Sequence, residues 1–108
     1  MTELTESQKR HLKGLADRAH EKELTLELNR LYDKFRKWKD NEITPWDLNE
    51  ILSQYHNDTA NEFYQTYVLV SDPRDAVAKA IVNGILNISE VNPDCRPLLE
   101  GIIAFYRE

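Results

Sequence analysis

The stretch Ile43-Thr44-Pro45-Trp46-Asp47-Leu48 constrains this chain more than any other, because each of its residues suits one place at the start of an α-helix. Thr44 is a good N-cap, and Pro45 at the first helical position has no N–H to leave unsatisfied. Asp47, three residues after the cap, is placed to bond back to the Thr44 amide. Ile43 and Leu48 are spaced to touch as a hydrophobic staple across the cap. A chain that must turn here and enter a helix cannot run as one rod. The sequence on either side has to fold back on itself.

The rest of the pattern is helical too. Three glycines and four prolines in 108 residues leave few turns, and 41% hydrophobic residues are enough for one core and no more. The expected fold class is all-α: one compact bundle of five or six short helices in a single domain spanning 1–108, with residues 1–20 as a looser N-terminal helix.

In residues 5–20, Leu12, Leu15, Ala16 and Ala19 recur at three- and four-residue steps, and Thr5 or Ser7 can cap. Gly14 weakens this segment relative to alanine. Leu4-Thr5-Glu6-Ser7-Gln8-Lys9-Arg10-His11-Leu12-Lys13-Gly14-Leu15-Ala16 resembles the first helix of CRM-type RNA-binding domains, over fewer than twenty residues. Those domains continue into strands and a glycine-bearing basic loop. This chain continues into another helical pattern instead.

Residues 21–39 carry the strongest periodicity. Leu24, Leu28, Leu31, Phe35 and Trp38 form one stripe widened by Tyr32, which predicts a central amphipathic helix. Lys22 and Glu23 fall where apolar residues are due, which predicts a break or bend near 19–22. After the turn at Asp40-Asn41-Glu42, a helix from Thr44 should bury Leu48, Ile51, Leu52 and Tyr55 and end near His56. Together, residues 24–56 suggest an EF-hand-like helix-turn-helix without calcium. Arg36, Trp38 and Asn41 fall where the metal loop needs two oxygen ligands and a glycine.

Asn57-Asp58-Thr59 should break the chain, with Asp58 or Thr59 capping a further helix and Glu62 reciprocating. Phe63–Val70 has strand propensity, but no partner strand exists for it. Asp72 or Ser71 should cap the next helix ahead of Pro73, and Gly84 should close it in a left-handed turn. Leu98, Leu99, Ile102, Ile103 and Tyr106 make the last apolar face.

Chemistry is sparse. No phosphate-binding glycine loop, H-E-x-x-H or C-x-x-C motif occurs. His56, Asp58 and Glu62 are the best candidate for a metal-dependent enzyme site, although a capping role explains the same spacing. Cys95 beside Asp94 reads as a buried or idle thiol. The expectation is a non-enzymatic protein with no bound cofactor and no metal.

The net charge of −5 is unevenly spread. Residues 1–40 hold ten Lys/Arg against eight Asp/Glu, and residues 41–108 hold four against eleven. An acidic chain is a poor general binder of nucleic acid. The exception to weigh is Lys34, Arg36, Lys37 and Lys39 interleaved with Phe35 and Trp38, the stretch 34–39 that offers an alternative nucleic-acid surface. A single cysteine and an N-terminus without a basic and apolar leader fit a cytoplasmic setting, and no apolar run approaches membrane length. The expected role is a protein-protein interaction or regulatory module whose partner is another protein or a second copy. Trp46, Trp38 and Tyr64 are the candidate contact residues, with Lys34, Arg36, Lys37 and Lys39 beside them.

Overall fold

A computed structural model describes residues 3–69 and 72–108. Met1, Thr2, Val70 and Ser71, the last expected as an alternative cap, lie outside the described residues. Those described contain no strand, so the fold is all-α. Its elements are α1 (Glu6–Lys39), α2 (Pro45–Gln54), α3 (Ala60–Phe63), α4 (Pro73–Val82) and α5 (Arg96–Arg107). Two π-helical turns, Tyr55–Thr59 and Tyr64–Val68, bracket α3 and keep the backbone helical from Pro45 to Val68. The described residues therefore form four helical rods, fewer than the five or six expected.

The predicted break at 19–22 does not exist. Helix α1 runs unbroken for 34 residues, opened by a capping box between Thr5 and Gln8. Its length of about 50 Å at 1.5 Å per residue matches the long axis of a molecule measuring 54 × 28 × 24 Å. The radius of gyration is 17.1 Å, against about 13 Å for a compact domain of this size. The phase shift at Lys22 and Glu23 records a change of packing partner along one rod, because a helix can bury different faces at different heights.

Near its N-terminus α1 packs against α4, which in turn packs on α5. Leu12, Leu15, Ala16 and Ala19, from the segment expected to be looser, meet Ala76, Val77, Ala80, Ile81, Leu86, Val91, Cys95 and Leu99 in the principal core. Leu12, Ala19, Val77 and Leu99 have no exposed surface at all. The alanines let α4 approach closely. Farther along, α1 packs on the second rod, and among the described residues of that pairing Leu31 and Leu48 are the buried ones.

The two helix-ending turns share one device. At the end of α1, the Asn41 N–H donates to the Trp38 carbonyl and the Glu42 N–H to the Lys37 carbonyl, with Asn41 at φ +60°. After α4, the Gly84 N–H donates to Ile81 and Ile85 to Ala80, with Gly84 at φ +77°. Both are Schellman closures, and the left-handed position accepts glycine or asparagine. The Gly84 closure was legible in the sequence; the asparagine was read only as turn.

The Thr44 capping box forms as read. The Thr44 hydroxyl accepts from the Asp47 N–H at 3.1 Å, and the Asp47 carboxylate accepts from the Thr44 N–H at 3.0 Å. Asp72 likewise accepts from the Arg74 N–H at 3.0 Å ahead of Pro73. The expected break at Asn57-Asp58-Thr59 is a correction: Thr59 is right-handed helical and caps nothing. An i to i−5 bond from Ala60 to the Tyr55 carbonyl absorbs the irregularity as a π turn. Phe63–Val68 is helical, as the rejection of a strand required.

Candidate interaction surface

At about 100° per residue, α1 presents three separate faces. Leu12, Leu15, Ala16 and Ala19 define the face sealed by α4 and its neighbours. Leu24, Glu27, Leu31, Lys34 and Trp38 lie roughly 80° away, and all five are buried or half-buried toward the second rod. Glu21, Thr25, Leu28, Tyr32, Phe35 and Lys39 form a third row about 100° further round, nearly opposite the core face, and all six are exposed. Leu28 is 55% exposed, Tyr32 62% and Phe35 41%.

This is the main correction to the sequence reading. The stripe Leu24, Leu28, Leu31, Phe35 and Trp38 was expected to face one core. The structure divides it: Leu24, Leu31 and Trp38 turn to the second rod, while Leu28, Tyr32 and Phe35 stay in solvent. The apolar arc is wider than the face one neighbouring helix can cover. The signal was present as two interleaved 3-4 spacings, at 24, 27, 31, 34, 38 and at 21, 25, 28, 32, 35, 39.

Trp46 is the most exposed large hydrophobic side chain among the described residues, at 82%. It sits on the face of α2 turned away from Leu48, about 200° round the helix. Tyr64, in the second π turn, is 49% exposed. Trp38 is half-buried, with the Lys39 ammonium 5.2 Å from its ring centre. The candidate contact residues thus point in several directions.

The basic stretch does not make a purely basic patch. Lys34 is half-buried toward the second rod, whereas Arg36, Lys37 and Lys39 are exposed at widely different angles. A shallow depression of about 370 Å³ at the end of α1 places Asp33, Asp40 and Glu42 among Arg30, Lys34, Arg36 and Lys37. The acidic groups dilute the field a phosphate backbone would need.

His56, Asp58 and Glu62 are all exposed. No three His, Cys, Asp or Glu side chains among the described residues are placed to hold a metal ion. Cys95 is buried, and burial, reinforced by Asp94, pushes its thiol pKa up, away from reactive thiolate. No described helix is long and apolar enough to cross a membrane.

The hinge between the two halves is better organised. The His20 and Tyr67 rings stack at 4.7 Å, and Phe63 meets the His20 ring edge-on at 6.0 Å. The Tyr67 hydroxyl donates to the Glu23 carboxylate at 2.5 Å, and Lys79 reaches Thr66 from α4. Burial raises the Tyr67 phenol pKa above its ordinary value, and the bond to Glu23 raises it further. No local spacing in the sequence pairs His20 with Tyr67. Their contact depends on the second rod returning alongside α1. Comparison with protein-family models, with curated proteins and with solved structures returns no match.

Proposed function

We propose that this chain is a non-enzymatic protein-interaction module and that its contact surface is the distal hairpin formed by the C-terminal half of α1 and the second rod. The observation that carries this reading is the row Leu28, Tyr32 and Phe35, exposed by 55%, 62% and 41%, with Trp46 exposed by 82% on the same hairpin. Single exposed apolar residues are common on soluble proteins, but a row aligned along a helix marks a contact surface. Tyrosine, tryptophan and phenylalanine are also the residues enriched in the buried centres of interfaces. The lone buried thiol fits a reducing, cytoplasmic setting for such a module.

A benzophenone amino acid placed at position 32 or 46 tests it. Irradiation in cells should yield discrete protein adducts from these positions and none from position 100, on the exposed side of α5. Absence of adducts from both 32 and 46 overturns the proposal.

A further inference from the structure

The exposed row on α1 has the spacing of a coiled-coil seam. Glu21, Thr25, Leu28, Tyr32, Phe35 and Lys39 follow steps of four, three, four, three and four residues, the alternation that keeps knobs on one line of a helix. The line is about 27 Å long. It carries apolar groups in the middle and opposite charges at its ends. Among the described residues, neither Glu21 nor Lys39 has an ion-pair partner.

We infer that this seam is occupied by the same seam of a second copy, running antiparallel about a two-fold axis near residue 30. The inference rests on the interaction reading above and names the partner. In this register residue numbers across the seam sum to 60. Leu28 meets Tyr32, Thr25 meets Phe35, and Glu21 meets Lys39, each twice by symmetry. Each pair matches an a position with a d position, the pairing that antiparallel coiled coils require. A parallel arrangement would set Glu21 against Glu21 and Lys39 against Lys39. The end charges therefore select the antiparallel direction, and Leu28 with Tyr32 and Phe35 supplies the apolar contact.

The rest of the fold leaves room for this partner. The core face of α1 is about 170° from the seam, and the second rod lies about 100° to one side. On the other flank, Lys22 and Arg36 come near one another across the axis and oppose pairing. Lys22 is turned toward the α4–α5 connection, where its ammonium donates to the Ile85 carbonyl at 3.4 Å. A seam this short, with cations on one flank, makes a weak, concentration-dependent dimer.

Sedimentation equilibrium over roughly 1 µM to 1 mM tests the assignment. The wild-type chain should shift from monomer to dimer in that range. L28S/Y32S should remain monomeric, with unchanged helical circular dichroism because both side chains are exposed. E21K and K39E should each weaken the dimer about tenfold at low salt, and E21K/K39E should restore it. A chain that stays monomeric throughout overturns the second copy as occupant. If position 32 still forms adducts with other proteins in cells, the broader interaction reading stands. If it does not, and position 46 does not, both fall. A dimer indifferent to L28S/Y32S, or one that E21K/K39E fails to restore, overturns this seam and register.

Discussion

The two ends of α1 solve the same problem with unequal means. Near the N-terminus, α1, α4 and α5 surround an interior from three sides, and Leu12, Val77 and Leu99 lose all contact with solvent. Toward the C-terminus, α1 has one partner, and a pair of helices has no inside. Leu31 and Leu48 are buried there only because they lie on the line of contact. The apolar richness of residues 21–39 therefore does not produce a core. It yields a hairpin whose surplus hydrophobic surface faces water.

That contrast can be broken by substitution. Leu99→Ala should cost about 2–5 kcal/mol, because a fully enclosed site cannot collapse around the cavity. Leu31→Ala should cost only about 1–2 kcal/mol, since the two-helix contact can close over the gap. Chemical denaturation of both variants measures the difference. Equal losses would mean that the hairpin is as tightly built as the core.

The hinge gives the contrast a pH signature. The Tyr67 phenol has a folded pKa raised above its ordinary 10.0, so it holds its proton more tightly when folded. Its contribution is complete below about pH 10 and is lost as pH rises through the folded value. Tyr67→Phe should cost about 1 kcal/mol at neutral pH and flatten the alkaline decline, read by thermal melts between pH 9 and 11.

Smaller effects belong to the corner. Thr44→Ala should destabilise by about 1 kcal/mol. Its partner Asp47 has a pKa below its ordinary 3.8, first through its bond from the Thr44 amide. The cap is therefore complete above about pH 4 and weakens as pH falls through the folded value. Trp46→Ala should change stability by less than about 0.5 kcal/mol, as an exposed substitution. A large loss of melting temperature in that variant would place Trp46 in the fold rather than on the contact surface.

Local signals were the legible part. The Thr44 capping box, the entries at Pro45 and Pro73, the Gly84 closure and the helical class follow from bonding within a few residues, and such bonds need no partner element. The 57–59 break was misread for a related reason. Asn, Asp and Thr favour caps when a helix is free to end, but here the flanking helices continue and a π turn costs the backbone less than stopping. The site was less legible than the fold. Leu28, Tyr32 and Phe35 read as interior because periodicity shows which residues share a face without showing whether anything covers it.

By itself the sequence determined where α1, α2 and α4 begin, where α1 and α4 close, and that α1 carries apolar residues along most of its length. Only the tertiary structure decided that α1 is unbroken, that its first half is the core, and that one of its seams is left open. The reason is geometric. Hydrogen bonds along a helix are local and readable in order, whereas burial depends on how many neighbours surround a face, and that number is set by residues as distant in sequence as Leu12 and Leu99.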